Sequence, residues 1–263
     1  SIPFHKSDRT LAFLPWAHIF GQICEVHGVM MFGFSAAMNE NLAKLVDELG
    51  QVRPTLLFAV PRVYNRIYEK LHLQIHNKSP KLYSLFQYGL TCSAKRRHGE
   101  KLSIKEALAF KLCDKLFFSK VRARLGNRLR MAYSGGSALN PAVIEFVQNI
   151  GVTLLEAYGL TEAIVSANSP DFQKTGAVGK PLPGVRVEID RSVTTANKQD
   201  GEIIIHGATM MLGYYNLPEE TASVFTTEGG FRTGDIGHID EDGFLRITGR
   251  VKEIYKLEDG KYC

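Results

Sequence analysis

The sequence has 263 residues, of which 44% are hydrophobic and 22% are charged, and its formal net charge is +5. This is an ordinary globular composition, which excludes collagen-like, low-complexity and intrinsically disordered proteins. No apolar run is long enough to span a membrane, the first residues lack the form of a signal peptide, and the four scattered cysteines form no Cys-x-x-Cys pair. We therefore expect a protein of a reducing compartment, the cytoplasm, without a zinc site.

The positive charge is concentrated between residues 95 and 130. This segment contains twelve Lys and Arg residues against three acidic ones, a net charge of +9, while the rest of the chain carries −4. Its apolar residues recur at the spacing of an amphipathic basic helix that lies on lipid. They are Ala107, Phe110, Leu116, Phe117 and Val121. An anionic membrane, a phosphorylated ligand and a plain solvated helix surface are all compatible with this pattern. Nucleic acid is disfavoured because the aromatic residues fall within the apolar pattern.

The first half of the chain predicts short strands and long helices, with boundaries set by hydrophobic spacing, proline and glycine. The predicted elements are a strand at 11–14, a small-residue-rich helix or strand–helix transition at 21–33, a helix at 41–49 closed by Gly50, a strand at 54–60 stopped by Pro61, and helices between 64 and 124 with breaks near 77–80 and 98–99. A long helical region is therefore expected between two strands.

The clearest unit follows it. It comprises, in order, a strand at 129–134, a Gly-Gly-Ser turn, Asn140 as helix N-cap, Pro141 as first helical residue, a helix to Ile150 closed by Gly151, and a strand at 152–157. A strand–helix–strand unit of about 30 residues predicts a parallel sheet.

After residue 176, short strands alternate with Gly and Asp residues. The predicted strands are 185–189, 202–206, 237–239 and 244–247. Asp242-Gly243 lies between the last two and is a strong hairpin signal. The predicted fold is therefore α/β, with a parallel or mixed sheet flanked by helices and a smaller, mostly antiparallel β subdomain.

Side chains suited to nucleotide chemistry follow several of these strands. Open parallel sheets bind ligands beyond the carboxyl ends of their strands, where the sequence places residues 135–137 (Gly-Gly-Ser) and 158–162 (Tyr-Gly-Leu-Thr-Glu). Glycines let a ligand approach the backbone, a tyrosine can stack on a base, and a carboxylate can hold Mg²⁺. The loop carboxylate of Asp235 suits a ribose diol, and Arg250 offers a fixed cationic fork. Each of these residues, taken singly, also fits an ordinary structural role.

In this order, the motifs resemble the adenylate-forming superfamily, and most closely its long-chain fatty acyl-CoA synthetases. The resembling segments are Leu14-Pro15-Trp16-Ala17-His18, Ser134-Gly135-Gly136-Ser137-Ala138-Leu139, Glu156-Ala157-Tyr158-Gly159-Leu160-Thr161-Glu162, Tyr214-Tyr215 with Thr221, Phe231-Arg232-Thr233-Gly234-Asp235 and Gly249-Arg250-Val251-Lys252-Glu253. The basic helical segment before Ser134 resembles the long-chain branch more than the acetate, luciferase or peptide-synthetase branches.

The resemblance implies a ligase that uses ATP, Mg²⁺ and CoA. ATP and a long-chain fatty acid would give an acyl-adenylate and pyrophosphate, and CoA would then displace AMP to give acyl-CoA. The implied catalytic residues are Thr161 at the α-phosphate, Glu162 as the Mg²⁺ ligand, and His18 near the reacting carboxylate and phosphate. The implied nucleotide-binding residues are Gly135, Gly136 and Ser137 beside adenine, Tyr158 facing adenine with Gly159 after it, Asp235 and Arg250 at the ribose, and Lys252 at a hinge. The implied acyl tunnel lies around Phe20, Gly21, Val29 and Phe32.

The resemblance also implies a longer enzyme. Residues 1–175 would be the α/β portion of its large domain, with the basic helical insert at 95–130. Residues 176–248 would be a β-rich subdomain, and 249–263 would be the hinge and the start of a C-terminal domain. A phosphate loop would precede residue 1, and a domain that carries the adenylation lysine would follow Cys263. Lys261 would not be that lysine. We therefore expect these 263 residues alone to be inactive or nearly so.

Two alternatives stay open. The same fold could activate another carboxylic acid, or the chain could be a degenerate nucleotide-binding or membrane-docking module. The intact site residues disfavour a degenerate module; they are Tyr158, Thr161, Glu162, Asp235 and Arg250. Peripheral contact with an anionic membrane is a separate hypothesis that rests on residues 95–130. The sequence gives no oligomeric state.

Overall fold

A computed structural model describes residues 4–193 and 197–253. The strands are β1 (Arg9–Ala12), β2 (Ser35–Met38), β3 (Leu56–Ala59), β4 (Met131–Ser134), β5 (Thr153–Gly159), β6 (Ile164–Ala167), β7 (Lys180–Pro181), β8 (Val185–Asp190), β9 (Gly201–Gly207), β10 (Phe231–Ile239) and β11 (Leu245–Arg250). The α-helices are α1 (Ile19–Gly21), α2 (Gly28–Phe32), α3 (Leu45–Val52), α4 (Pro61–Lys78), α5 (Pro80–Arg97), α6 (Ile104–Cys113), α7 (Ser119–Arg124), α8 (Pro141–Asn149) and α9 (Pro218–Val224). Two π-helical turns (Gln22–His27 and Asp114–Phe118) and two 3₁₀ turns (Leu42–Lys44 and Val251–Glu253) complete the elements.

The strands form two sheets. A seven-stranded sheet has the order β2-β1-β3-β4-β5-β6-β7, and a four-stranded sheet has the order β11-β10-β9-β8. Strand β1 runs parallel to β2 and β3, and β3 runs parallel to β4, whereas β5, β6 and β7 pair in antiparallel fashion. The second sheet is antiparallel throughout. These sheets confirm the predicted α/β class with a smaller antiparallel part.

The chain divides into two compact units, Ser1–Leu155 (the N-terminal unit) and Glu156–Cys263 (the C-terminal unit). In the N-terminal unit, Leu57 and Ala132 on the parallel strands belong to one apolar cluster with Phe86 of α5 and Phe146 of α8. All four are at most 2% exposed, and burying a large apolar side chain is worth roughly 1.5–3 kcal/mol. The flanking helices are therefore held by the sheet they cover.

The strand–helix–strand prediction is confirmed around α8. The Asn140 side chain accepts a hydrogen bond from Ala142 N at 2.9 Å, which satisfies an amide left unpaired at the helix start. Pro141 occupies the first turn, and Gly151 has a φ of +95° just beyond the end of the helix. These are the signals from which the helix was predicted.

The first two predicted boundaries differ from the structure. The strand predicted at 11–14 lies at Arg9–Ala12 because the next amides, of Phe13 and Leu14, donate to the side chain of Glu25 instead of a strand. Strand β2 was not predicted. Region 21–33 is helical, in agreement with the first of its two interpretations.

The prediction that Gly50 closes the helix was wrong, because α3 continues to Val52. Arg53 adopts a left-handed conformation (φ 52°) and its N–H bonds to the Leu49 carbonyl, which closes the helix. Gly50 lies within the helix and is exposed, with no atom near the position of a Cβ. The helix therefore ends at the residue that closes its hydrogen bonding and not at the glycine.

The long helical region breaks near both predicted places. Ser79 separates α4 from α5, and α5 ends at Arg97. A capping box starts α6, in which Ser103 and Glu106 hydrogen-bond each other's backbone N–H groups. No helix among the described residues is both long and apolar enough to cross a membrane.

The C-terminal unit has its own apolar core. Ile203 and Ile205 of β9, Leu245 of β11 and Val165 of β6 are fully buried in one cluster. The predicted hairpin at Asp242-Gly243 joins β10 to β11, with Gly243 at a φ of +81°. The predicted strand at 237–239 is only the end of the longer β10.

Candidate functional site

A tyrosine, an aspartate and an arginine from three strands form a hydrogen-bonded cluster in the C-terminal unit. Tyr158 lies on β5, Asp235 on β10 and Arg250 at the end of β11. The Tyr158 hydroxyl donates to Asp235 Oδ2 at 2.6 Å, and Arg250 Nε donates to Asp235 Oδ1 at 2.7 Å. The carboxylate is buried, whereas the Arg250 side chain is 57% exposed. Three residues predicted for one nucleotide site are therefore in direct contact.

Asp235 lies within a strand, so the prediction of a loop carboxylate was wrong. Strand β10 loses its regular register with β9 just before Ile236, and Gly234 adopts a φ of +70°. Thr233 Oγ1 accepts a hydrogen bond from Asp235 N at 3.0 Å and donates to the Ile203 carbonyl at 2.8 Å. An irregularity of this kind redirects a side chain without breaking the strand, and glycine adopts the required conformation without strain.

Tyr158 acts as a hydrogen-bond donor in this cluster. Burial raises the pKa of its phenol far above the ordinary value, and the carboxylate of Asp235 raises it further. The hydroxyl therefore stays protonated and directs the carboxylate. A carboxylate has about four lone-pair positions, so Asp235 can accept further hydroxyl groups beside its two partners. The Tyr158 ring itself packs in the apolar cluster of this unit, and its contact with adenine stays a prediction.

Thr161 and Glu162 lie in the short connection between β5 and β6. Leu160 N donates to the Ala163 carbonyl at 2.7 Å, which closes the turn. Tyr214 Oη donates to Glu162 Oε1 at 2.8 Å, while Oε2 of the same carboxylate accepts no hydrogen bond from the described part of the chain. Thr161 is exposed and Glu162 is half-buried. The turn thus presents a hydroxyl beside a carboxylate that is held on one side only.

Glu162 fits the role of a single protein ligand for Mg²⁺. Within residues 4–193 and 197–253, no group of three or more His, Cys, Asp or Glu side chains is placed to hold a metal ion. Mg²⁺ is commonly bound through one or two carboxylates, substrate phosphates and waters. Glu162, a single carboxylate with one available oxygen, matches that pattern.

The glycine turn predicted beside adenine follows β4 in the N-terminal unit. Gly136 has a φ of +88°, and a Cβ at Gly135 would lie 3.2 Å from the ring of Phe20. Ser137 is exposed. The turn therefore lies beyond the carboxyl end of a parallel strand, as predicted, and the start of α1 packs against it.

His18 is the N-cap of α1. Its Nδ1 accepts a hydrogen bond from Phe20 N at 3.2 Å, so in the neutral imidazole the proton is on Nε2. The side chain is exposed. A Cβ at Gly21 would lie 2.7 Å from the Pro15 carbonyl, so this turn of helix requires glycine. The local packing thus leaves His18 with an outward Nε2–H donor.

Two further predicted residues lie at or after the end of a strand. Gly159 is the last residue of β5, and Lys252 is exposed in the 3₁₀ turn Val251–Glu253. Lys261 and Cys263 lie outside the described residues.

Three contacts involve residues to which the sequence analysis gave no chemical role. Tyr214 holds Glu162, Thr233 orients the backbone of Asp235, and Glu25 binds the chain after β1. Tyr214 and Thr233 each belong to a resembling motif, which is the available signal for these two residues. Nothing in the sequence around Glu25 indicates that a carboxylate is buried there.

Comparisons with known proteins show the family of the chain. The family model for AMP-binding enzymes matches residues 1–215. The chain is 34% identical to the long-chain-fatty-acid–CoA ligase FadD15 of Mycobacterium bovis over 267 aligned positions, covering 97% of this chain and 42% of the relative. It is also 34% identical to the peroxisomal long chain acyl-CoA synthetase 6 of Arabidopsis thaliana, covering 100% of this chain and 38% of the relative.

A solved structure is similar over the same extent. It is a malonyl-CoA ligase in a ternary product complex with methylmalonyl-CoA and AMP, with a TM-score of 0.65 and 27% identity, covering 98% of this chain and 47% of the other. The chain thus spans about two fifths of the length of the curated relatives it matches. With a family model that matches most of its residues, the chain belongs to the AMP-binding enzyme family.

Proposed function

We propose that the protein carrying this chain is an AMP-forming long-chain fatty acid–CoA ligase. The observation that carries the proposal is the contact of Tyr158, Asp235 and Arg250 around one buried carboxylate. The names of the two long-chain relatives support the acyl class. In the first step, an oxygen of the fatty acid carboxylate bonds to the α-phosphorus of ATP and pyrophosphate leaves. In the second, the CoA thiol attacks the acyl carbon, AMP leaves, and the thiol proton passes to solvent.

The nucleotide roles follow from the donors and acceptors of the C-terminal unit. Asp235, directed by Tyr158, would accept the ribose hydroxyls, and the exposed guanidinium of Arg250 would lie beside them. Thr161 would donate to an oxygen of the α-phosphate. When bound at Glu162, Mg²⁺ would neutralise phosphate charge that otherwise repels the attacking carboxylate. Catalysis of this kind consists mainly of positioning and charge neutralisation.

The roles in the N-terminal unit rest on the backbone and on His18. The turn at 135–137 would lie along adenine, where the exposed Gly136 has no side chain to cover the backbone. His18 would donate from Nε2 to an oxygen of the reacting carboxylate or phosphate. Lys252 would mark the hinge to a further domain.

The proposal is tested with the protein as it occurs, by fatty-acid-dependent exchange of pyrophosphate into ATP. We expect exchange that requires a long-chain acid and falls at least tenfold in Glu162→Gln. The matched control is Glu188→Gln, because Glu188 lies on β8, is 47% exposed and pairs with Arg186 and His206. Preference for malonate or another short acid would instead favour an adenylate-forming ligase of that acid. Nucleotide binding without exchange would favour a degenerate module.

We also propose that the protein works in the cytoplasm and meets an anionic membrane peripherally through α6. The apolar residues predicted to face lipid do not form an exposed surface, because Phe110 and Phe117 pack against the core and Val121 is buried. A different apolar stripe is exposed on α6, at a spacing of one turn. It consists of Ile104 (82% exposed), Leu108 (62%) and Leu112 (48%).

Lys105 and Lys111 lie on α6 together with this stripe, while some other cations of the segment are neutralised within the fold. Lys95 pairs with Glu106 at 2.6 Å, and Arg122 pairs with Asp114 at 2.8 Å. The lysines near the stripe make no ion pair with the described residues; they are Lys101, Lys105, Lys111 and Lys115. An exposed apolar stripe with a basic border suits an anionic lipid surface.

Sedimentation with vesicles tests the membrane proposal. We expect more binding to vesicles of mixed phosphatidylglycerol and phosphatidylcholine than to phosphatidylcholine alone, and a loss of binding in Leu108→Asn. Leu73→Asn is the matched control, because Leu73 on α4 is also 62% exposed. Equal binding by the two variants would contradict the proposal.

A further inference from the structure

A carboxylate is buried beneath the segment that leads to His18. Glu25 lies on the π-helical turn Gln22–His27 and is 2% exposed. Its Oε1 accepts a hydrogen bond from Phe13 N at 3.2 Å, and its Oε2 accepts from Leu14 N at 3.2 Å and from the indole Nε1 of Trp16 at 3.2 Å. All its partners are N–H donors, and it forms no ion pair with the described residues.

These bonds replace strand pairing at the point where β1 ends. Ala12 is the last residue of β1 paired with β2, and the amides of Phe13 and Leu14 would otherwise be left without acceptors in a largely buried segment. Unpaired buried amides are costly, so the carboxylate determines where the chain leaves the sheet. Burial raises the pKa of Glu25, while the bonds from Phe13, Leu14 and Trp16 oppose that effect and favour the charged form.

The same segment leads within two residues to His18. His18 N donates to the Pro15 carbonyl at 2.9 Å, and the His18 ring caps α1 through Nδ1. The path of residues 13–16 therefore sets the position from which Nε2–H points outward. Glu25 is itself buried and acts on His18 only through this path.

We infer that Glu25 is a positioning residue: its buried carboxylate fixes residues 13–16 and thereby the placement of the His18 Nε2–H donor toward the acyl substrate. The inference rests on the proposed function, in which His18 contacts the reacting carboxylate or phosphate. Glu25 is assigned no contact with substrate.

The position of the segment can be measured without any enzymatic activity. Trp16 is the single tryptophan of the 263 residues, and a 5-fluorotryptophan label reports its surroundings by ¹⁹F NMR, with the signal assigned by its loss in Trp16→Phe. We expect Glu25→Gln to shift or broaden this signal, because an amide cannot accept all three donors. Glu48→Gln is the matched control, since Glu48 also accepts from a backbone amide, that of Glu40, but lies on α3. An unchanged Trp16 signal in Glu25→Gln would overturn the inference.

The link to His18 requires a double-mutant cycle on pyrophosphate exchange. We expect Glu25→Gln to lower kcat about tenfold with the KM for ATP nearly unchanged, and to have less than about a twofold effect in a His18→Ala background. An equal loss in both backgrounds would show that Glu25 only supports the fold. If Glu25→Gln does not fold, Trp16→Phe replaces it in the cycle, because this variant removes one of the three donors. Its smaller loss of kcat should also vanish in the His18→Ala background. An enzyme with no exchange at all would refute the proposed function, while the NMR result would still decide whether Glu25 holds the segment.

Discussion

Replacing Asp235 by asparagine tests whether the carboxylate binds a ribose. Tyr158 and Arg250 occupy one lone-pair position on each oxygen, which leaves about two of four for ribose hydroxyls. A hydrogen bond to a charged group is worth about 1.5–3 kcal/mol. Removing both ribose hydroxyls from AMP should therefore weaken binding to the unmodified protein by about 10²-fold or more.

The variant should lose this discrimination. An asparagine side chain at this position would have to turn its amide nitrogen toward one of two donors, so we expect Asp235→Asn to reduce the affinity ratio of AMP to 2′,3′-dideoxy-AMP by at least about tenfold. Isothermal titration calorimetry of both nucleotides against both proteins gives the ratio directly. Asp242→Asn is the control, because Asp242 lies in the exposed β10–β11 hairpin. An unchanged ratio in Asp235→Asn would refute the ribose role, even if AMP bound more weakly overall.

Three further predictions concern stability and the metal. Burial tends to raise the pKa of Asp240, but the hydrogen bond from Lys174 contributes to lowering this pKa to about 2. The ionised Asp240 should therefore stabilise the fold above about pH 4, and this contribution should fade toward pH 2. Urea unfolding across that pH range should show no such contribution in Asp240→Asn. Gly179→Ala should destabilise the protein by more than about 3 kcal/mol, because a Cβ there would lie 1.9 Å from the Ala167 carbonyl carbon; an unchanged urea midpoint would contradict this. Glu162→Gln should raise the Mg²⁺ concentration needed for half-maximal exchange, and an unaltered Mg²⁺ dependence would exclude Glu162 as a ligand.

The sequence predicted elements best where local chemistry decides them. Asn140, Pro141 and Gly151 define α8 by capping, fixed φ and a left-handed end, and all three signals act within one helix. Asp242-Gly243 defines a hairpin for the same reason. Such elements could be predicted without any knowledge of their tertiary contacts.

Boundaries set by distant partners could not be predicted. Strand β1 ends at Ala12 because the following amides bind Glu25, which lies on a later helical turn. Asp235 lies in a strand because Thr233 and the glycine after it allow an irregular register with β9. In both cases the local pattern is compatible with another structure, and a long-range hydrogen bond selects the observed one.

The candidate site was predicted in its residues more fully than in its contacts. Tyr158, Asp235 and Arg250 were assigned to one nucleotide from their motifs, and they do meet. That the tyrosine hydroxyl directs the aspartate, and that Tyr214 holds Glu162, depend on side-chain geometry across strands and loops. Motif order therefore selected the candidate residues, while the contacts between them could be described only from the fold.

Direct detection of the acyl-adenylate tests the central claim most sharply. The protein as it occurs, incubated with palmitate and ATP but without CoA, should release pyrophosphate and retain palmitoyl-AMP, identified by mass spectrometry, and added CoA should convert it to palmitoyl-CoA and AMP. Release of ADP and phosphate, or no acyl-adenylate with any carboxylic acid, would contradict the account.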